Sequence, residues 1–186
     1  MFLVCGEALF DVFINGNAAA GSDVLTLEAH PGGSPFNVAI GLARLGQRVA
    51  FLAGVSHDML GERLVARLRS EGVDTATVQR LAAPTTLGLI GLDARGVPAY
   101  AFYGDGAADR RLDSAALPSL DPAIRAIHLG SYATVVDPTA SALETLVRRE
   151  CGQRLIAYDP NVRLNVEPSV ARCFSSSRPA RARACT

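Results

Sequence analysis

The chain has 186 residues, of which 49% are hydrophobic and 19% charged, and its 18 basic residues balance 18 acidic ones. This composition is typical of a folded globular protein and excludes a disordered or fibrous chain. The zero net charge gives no electrostatic reason to bind nucleic acid or an anionic membrane, so neither is expected as a partner.

The N-terminal segment and the cysteines both indicate a cytoplasmic protein. The segment MFLVCGEALFDVF lacks the basic n-region of a secretory signal and contains Glu7 and Asp11. No apolar run approaches the ~18 residues that a membrane span needs. The four cysteines form no C-x-x-C pair and no zinc-ligand spacing with the three histidines, so we expect reduced thiols, with Cys5 buried in a strand.

Short apolar runs alternate with segments of helical periodicity, a pattern that predicts βαβ units and a mainly parallel sheet. The predicted elements, in chain order, are strand Phe2–Cys5, helix Pro35–Leu45, strand Val49–Gly54, helix Met59–Ser70, strand Ile124–Leu129, helix Pro138–Glu150 and strand Leu155–Tyr158. Gly46 and Gly72 follow two of the helix ends, where a left-handed residue is favoured. Right-handed crossovers would make the sheet doubly wound or nearly so.

The segment from Thr85 to Gly104 departs from this rhythm. It contains two strand-like runs joined by D-A-R-G, a turn with Asp first and Gly last, and therefore predicts a hairpin. We expect this hairpin to lie off the main sheet as a cover, joined by strands from the polar residues at about 12–27. The following GDGAAD, residues 104–109, is interpreted as the return from the cover rather than an anion loop, because it does not follow a buried strand.

Polar residues that follow the strands are the candidate site residues, because ligands of open α/β sheets bind outside the carboxyl ends of the strands. They are Glu7, Asp11, Ser56, Asp58, Gly130, Ser131, Asp159, Asn161 and Arg163. The chain has no G-x-x-x-x-G-K-[ST], no G-x-G-x-x-G after the first strand and no G-x-S-x-G. Nucleotide binding by those routes is therefore unsupported.

The glycine pair at 32–33 precedes Ser34, a favourable N-cap, and Pro35, which suits the first helical position. Asn37 then falls in the first helical turn, where its amide and the free backbone N–H groups point beyond the helix end. Such an end suits polyhydroxyl groups or an anion. The alternative is that Asn37 satisfies a neighbouring loop carbonyl. Asp11 similarly fits a general base, a hydroxyl acceptor or a turn former.

The segment DPNVR, residues 159–163, places a carboxylate, an amide and a guanidinium within five residues after a strand. Such a set can hold phosphate or the water of a magnesium ion. The alternative is a Pro-Asn turn with a surface arginine.

A series of segments carries a resemblance to a known family: GEALFD, GGSPFNVAIGLARLG, VAFLAGVSHDMLGERL, PTTLGLIGL to FYGDGAAD, HLGS and YDPNVR. In order and spacing they resemble the ribokinase-like (PfkB) family of sugar kinases, the fructokinase-like members most closely, from about Phe2 to Pro168. The resemblance implies an α/β fold, a ribokinase-like α/β/α sandwich with a mainly parallel sheet and a small β lid, here C-terminally truncated. It also implies phosphoryl transfer from ATP to a sugar hydroxyl, with Mg²⁺.

The resemblance assigns roles residue by residue. The residues that it places on the sugar are Asp11, Gly32, Gly33, Asn37 and Arg163, the last of them near substrate or phosphate. Those near the ATP phosphates and magnesium are Asp159 and Asn161. A lid is expected from about 12–30 and 85–104, where it would exclude water and protect the phosphoryl group from hydrolysis. Some relatives dimerise through this lid, which leaves a homodimer open as a partner.

The family's second signature, D-T-x-G-A-G-D, has no counterpart here. It supplies the catalytic Asp and the anion hole, so we assign no catalytic residue. We expect this chain to carry the sugar-binding half without the ATP half, and to be inactive alone. Two alternatives stay open: a non-catalytic sugar-binding module and a non-functional fragment.

The segment after Val170, ARCFSSSRPARARACT, contains no Leu, Ile or Val and cannot extend a core. We therefore divide the chain into residues 1–170, the N-terminal part of a sugar kinase domain, and an aberrant, disordered tail at 171–186. A frameshift near Ala171 to Phe174 would explain the change. A genuine basic tail is the competing hypothesis.

Overall fold

The computed structural model describes residues 1–15, 24–92 and 98–161. Its strands are β1 (Phe2–Cys5), β2 (Leu9–Asn15), β3 (Thr26–Gly32), β4 (Val49–Leu52), β5 (Gly54–Ser56), β6 (Gln79–Leu81), β7 (Leu87–Leu92), β8 (Pro98–Tyr103), β9 (Ala126–Gly130) and β10 (Leu155–Asp159). Its α-helices are α1 (Ser34–Arg44), α2 (Met59–Ser70) and α3 (Thr139–Glu150). Arg163, the β7–β8 turn and the tail at 171–186, about which we made predictions, lie outside the described residues.

The main sheet has four parallel strands in the order β10-β9-β1-β4. Successive residues of a strand point to opposite faces, and β1 illustrates this. Val4 belongs to a core formed with α1 and α2, whereas Leu3 and Cys5 belong to a second core formed with α3. Both faces of β1 and β4 are covered, which explains why these two strands are apolar throughout. The predicted α/β/α sandwich is confirmed.

A second four-stranded sheet, in the order β3-β2-β7-β8, lies apart from the main sheet. Strands β7 and β8 pair as an antiparallel hairpin, with Leu87 opposite Tyr103, so the predicted hairpin is confirmed. Strand β2 pairs with β3 on one side and with β7 on the other. The sheet exposes large apolar side chains, including Phe13, Leu27 and Tyr100.

Two predicted boundaries differ from the structure for physical reasons. The predicted strand at 49–54 is divided, because β4 ends at Leu52 and β5 pairs with β6 in a separate ladder. Helix α1 begins at Ser34, and its N-cap is Gly33. Glycine has no side chain that could accept a hydrogen bond from the first turn of the helix. Ser34 is therefore the first helical residue and not the cap, and its N–H group donates to the Glu7 carboxylate at 3.2 Å.

The predicted helix ends are confirmed at Gly46 and Gly72, whose φ angles are 76° and 80°. Other predicted boundaries differ by one or two residues, as is usual where element ends fray. None of the helices in the described ranges combines the length and apolar character that crossing a bilayer requires.

Asp58 links the segment before β7 to the start of α2 by hydrogen bonds. As the N-cap of α2, its carboxylate accepts hydrogen bonds from the N–H groups of Leu60 and Gly61 at 3.0 and 2.7 Å. It also accepts from the N–H and hydroxyl of Thr85 at 2.8 and 2.7 Å. Partial burial raises the pKa of Asp58, but the hydrogen bonds from Gly61 and Thr85 outweigh it and lower the pKa below its usual value.

We expect Asp58→Ala to reduce the free energy of unfolding by about 2 kcal/mol, at the upper end for loss of an N-cap, because the tie to Thr85 is lost as well. Urea denaturation would measure the loss. Asp121→Ala is the matched control, because its carboxylate accepts a local bond from the Ala123 N–H. Equal losses in the two variants would contradict a stabilising link between Asp58 and Thr85.

Candidate functional site

A cleft of about 390 Å³ opens where the second sheet approaches the carboxyl ends of the main strands. This volume falls within the ~300–1,000 Å³ that small-molecule sites occupy. Its polar lining residues are Glu7, Asp11, Ser34, Asn37, Ser131, Tyr132 and Asn161. They come from the ends of β1, β9 and β10, from β2 and from the start of α1. This is the place that the topology of an open α/β sheet favours for a ligand.

Asp11 reaches this cleft because glycines flank it. On β2 it lies opposite Gly88 of β7. A Cβ atom at Gly88 would lie 3.3 Å from Oδ1 of Asp11, and one at Gly32 would collide with Oδ2. The missing side chains therefore make room for the carboxylate. This gives Gly32 a role in shaping the site without lining it.

Asn37 stands in the first turn of α1, and its side chain is exposed to the cleft. Its backbone N–H donates to the Gly33 carbonyl at 3.0 Å. No hydrogen bond joins its side-chain amide to another of the residues that the structure describes, so the alternative of a satisfied loop carbonyl is not observed there. The amide is available to a ligand.

Glu7 is the most buried acid of the cleft, with 1% of its surface exposed. Its Oε1 accepts the Ser34 N–H group at the start of α1. Burial raises the pKa of Glu7 to about 7, with a further rise from the negative charge of Asp109. The Ser131 hydroxyl and the Ser34 N–H act in the opposite direction. Glu7 is thus close to half protonated at neutral pH.

A buried hydrogen-bond network supports the cleft from below. The carboxylate of Asp109, itself 1% exposed, accepts hydrogen bonds from the hydroxyls of Thr86, at 2.5 Å, and Tyr132. Burial raises the pKa of Asp109 despite these two bonds. Burial and the nearby charge of Asp109 raise the pKa of Tyr132. The Tyr132 ring meets Phe102 of β8 edge to face at 6.4 Å, so the network links β7, β8 and the end of β9.

Sequence analysis missed this network. The segment at 104–109 was interpreted only as a return from the cover, and Tyr132 was not considered. Asp109, at the end of GDGAAD, was the only signal in the sequence. Its contacts with Thr86 and Tyr132 arise from tertiary packing, so the local sequence does not predict them.

Asn161 closes the cleft at the end of β10. Its side-chain amide donates to the Ser131 hydroxyl at 3.3 Å, and its N–H donates to the Asp159 carboxylate at 3.2 Å. Ser131 has φ 59° and ψ −162°, a conformation that costs a non-glycine residue energy and is concentrated at functional sites. Asp159 itself is exposed and does not line the cleft.

The structure thus brings Asp11, Gly33, Asn37 and Asn161 to one cleft, with Gly32 beside Asp11. It does not bring Asp159 into the lining, and Arg163 lies outside the described residues.

The charges of the cleft suit a neutral ligand rich in hydroxyl groups. Among the described residues that line it there are carboxylates but no lysine or arginine. Across the described ranges, no group of three His, Cys, Asp or Glu residues is placed to hold a metal ion. A triphosphate is usually bound by cationic side chains. The described part of the cleft therefore does not fit ATP by itself.

Comparison with known families identifies the chain. The profile of the pfkB family carbohydrate kinases matches residues 1–179. The chain belongs to this family. The resemblance found in the sequence is therefore confirmed. The main sheet with helices on both faces and the separate small sheet form the ribokinase-like architecture.

The relatives of this pfkB chain include fructokinases. It is 36% identical over 163 residues to a fructokinase of Rhizobium leguminosarum bv. trifolii, a match that covers 88% of this chain and 49% of the relative. Fructokinase-1 of Oryza sativa subsp. japonica is 35% identical, over 88% of this chain and 52% of the relative. The chain thus spans about half the length of the curated relatives that it matches.

Solved structures give the same result for the fold. A fructokinase from Xylella fastidiosa, with bound ATP, superposes with a TM-score of 0.85 at 26% identity, over 94% of this chain and 57% of the other. A sugar kinase from Pyrococcus horikoshii in complex with ATP gives a TM-score of 0.83 at 25% identity, over 97% and 60% of the two chains. Both similar proteins bind ATP in these structures.

Proposed function

We propose that this chain carries the sugar-binding part of an ATP-dependent, fructokinase-like sugar kinase, which transfers a phosphoryl group to a sugar hydroxyl. The observation that supports this most strongly is that Asp11, Asn37 and Asn161, from distant parts of a pfkB chain, line one cleft without a cationic side chain among its described residues. Fructose is the proposed sugar, since several relatives are named fructokinases.

The chemistry of the lining residues matches a sugar. The Asp11 carboxylate would accept hydrogen bonds from hydroxyl groups, and such bonds to a charged acceptor are among the stronger ones. The Asn37 amide both donates and accepts, so it would bind a hydroxyl in either sense. The backbone at Gly33, at the start of α1, would approach the sugar closely because no side chain intervenes. The second sheet would act as the lid that excludes water.

The ATP side of the reaction is a separate part of the proposal. Asn161 and Asp159 remain candidates for the neighbourhood of the phosphates and magnesium, and Arg163 for substrate or phosphate. ATP supplies the phosphoryl group, and what the described residues contribute is binding, orientation and protection from water. Residues 1–161 alone are proposed not to catalyse transfer, because the described residues that line the cleft include no lysine or arginine to neutralise the phosphate charge.

A sugar-binding module without catalysis is the second candidate. The carboxylate-rich cleft favours it, since sugar binding needs no cation. Isothermal titration of the purified chain with D-fructose, alongside an assay of ADP release in the presence of MgATP, tests both. Saturable fructose binding supports the sugar site. ADP release that depends on fructose would contradict the proposed inactivity of the chain alone.

Two further assignments belong to this proposal. Residues 1–170 form the N-terminal part of a kinase domain, with a lid over 12–30 and 85–104, and the tail at 171–186 stands outside it. The exposed apolar side chains of the second sheet, Phe13, Leu27 and Tyr100, would form the contact of a homodimer.

We expect Asp11→Asn to weaken fructose binding ~10- to 100-fold, the cost of losing hydrogen bonds to a charged group. The shape of the side chain is kept, and urea denaturation of the variant separates a loss of binding from a loss of stability. Calorimetric titration of the variant against the unaltered chain measures the effect. Asp121→Asn, outside the cleft, is the control and should bind fructose as the unaltered chain does. Equal affinity in Asp11→Asn would contradict the role of Asp11.

A further inference from the structure

One carboxylate oxygen of Glu7, Oε2, has no role in the contacts described so far. Glu7 follows β1 and lines the cleft, although only 1% of its surface is exposed. Its Oε1 accepts the Ser34 N–H at 3.2 Å. Its Oε2 is buried and has no partner at hydrogen-bond geometry among the residues that the structure describes, although the Ser131 hydroxyl is close enough to lower the pKa of the carboxyl group.

A structural role accounts for Oε1 only. Helix α1 has Gly33 as its N-cap and therefore lacks a capping side chain of its own. Oε1 takes the place of that side chain by binding one of the free N–H groups of the first turn. A cap requires one acceptor, however, and a second oxygen that is buried without a partner is unfavourable. Such an oxygen beside a cleft indicates a group that a ligand completes.

The surroundings of Glu7 determine which ligand group suits Oε2. The titratable groups that face the carboxyl group are Asp109 and Tyr132, which bind each other, and Asp11 lies on the same cleft. The carboxyl groups of Asp11 and Asp109 disfavour an anion. A hydroxyl group both donates and accepts a hydrogen bond, so it can pair with a carboxyl group in either protonation state. Both states are populated near neutral pH, because burial raises the pKa of Glu7 to about 7.

We propose that Oε2 of Glu7 hydrogen-bonds to one hydroxyl group of the bound sugar and so helps to orient it. This rests on the proposed function, in which the cleft takes a sugar. Glu7 contacts the sugar from the main-sheet side, whereas Asp11 does so from the second sheet. The sugar is then held between polar groups from both sheets, and the position of its hydroxyl at Glu7 contributes to specificity.

Isothermal titration with D-fructose tests the contact in the unaltered chain, Glu7→Met and Glu144→Met. Glu7→Met keeps a side chain of similar length but removes both oxygens, so no hydrogen bond to the sugar can form, and we expect the dissociation constant to rise ~10-fold or more. Glu144→Met is the control: it makes the same substitution on the exposed surface of α3, and Glu144 does not line the cleft. Its affinity should stay within about twofold. Equal affinity in Glu7→Met and the unaltered chain would overturn the proposal.

Monodeoxy fructoses identify the hydroxyl group and separate contact from structure. One analogue should bind the unaltered chain more weakly than fructose does, but should bind Glu7→Met as well as fructose does, because that variant has already lost the contact. If every analogue loses the same factor in both proteins, Glu7 touches no sugar hydroxyl.

A measurement on the unaltered chain covers the case in which Glu7→Met fails to fold. The ¹³C resonance of the Glu7 carboxyl group, followed against pH with and without fructose, should titrate at a different pH once the sugar is bound. An unchanged titration under saturating fructose would overturn the proposal alone. Absence of fructose binding by the unaltered chain would overturn the proposed function together with it.

Discussion

The free energy of unfolding should fall by about 3 kcal/mol as the pH rises from about 4.5 to above 7, because of Glu7. In the folded chain, burial raises the pKa of Glu7 to about 7 from a usual value of 4.5. Between these values the folded state holds a proton that the unfolded state has released, so stability decreases with rising pH. The contribution of Glu7 is complete below the unfolded pKa and is lost through the folded pKa.

Urea denaturation at pH 5 and pH 8 measures this loss. Asp109, whose pKa burial also raises, contributes in the same direction, so the effect of Glu7 is the difference between the unaltered chain and Glu7→Gln. The neutral variant should lose about 2.5 kcal/mol less between the two pH values, the equivalent of about 2 pKa units, because pH 5 already lies above the unfolded pKa.

Glu150→Gln is the matched control for this pH dependence. Partial burial raises the pKa of Glu150, but its hydrogen bonds with Arg154 and Arg149 outweigh that effect and lower the pKa below its usual value. Folding therefore adds no proton to Glu150 in this range, and Glu150→Gln should keep the loss of stability with rising pH that the unaltered chain shows. If Glu7→Gln keeps the full pH dependence of the unaltered chain, the carboxyl group is not buried as described.

Local signals predicted the regular elements well. Strand Phe2–Cys5 and helix Met59–Ser70 were predicted to the residue. The helix had a clear start and end, because Asp58 caps one end and Gly72 adopts a positive φ after the other. In contrast, the division of the predicted strand at 49–54 depends on a distant contact. At Gly54 the backbone lies so close to the Ala108 carbonyl that a Cβ atom would collide with it.

The candidate site divides in the same way. Asp11, Gly33 and Asn37 belong to sequence motifs, so their presence in one cleft could be anticipated. The role of Gly32 as space for the Asp11 carboxylate could not, because it depends on strand register. The unpaired Oε2 of Glu7 could not be predicted either, because it results from the lack of a donor on the elements that surround it in the described structure. No single sequence segment contains that information.

The second large effect is expected at Gly33, where Gly33→Ala should reduce the free energy of unfolding by about 3 kcal/mol, the sum of backbone strain and a steric clash. Gly33 has φ 108° and ψ 131°, a conformation that L-residues rarely adopt. A Cβ atom there would also lie 2.6 Å from the Glu7 carbonyl oxygen. That oxygen belongs to the backbone at the end of β1 and cannot move aside without displacing the centre of the sheet.

Gly41→Ala is the matched control, since it adds the same methyl group to the same helix. Gly41 lies within α1, and a Cβ atom there would meet no atom within 4 Å. Alanine should therefore stabilise the chain by about 0.5–1 kcal/mol, because it restricts the unfolded backbone more than glycine does. Urea denaturation of both variants measures the contrast. If Gly33→Ala is as stable as Gly41→Ala, the start of α1 does not lie against β1, and the Ser34 N–H group could not be held on Glu7. Opposite signs would instead establish that the close approach of α1 to β1, which forms one side of the cleft, requires glycine at position 33.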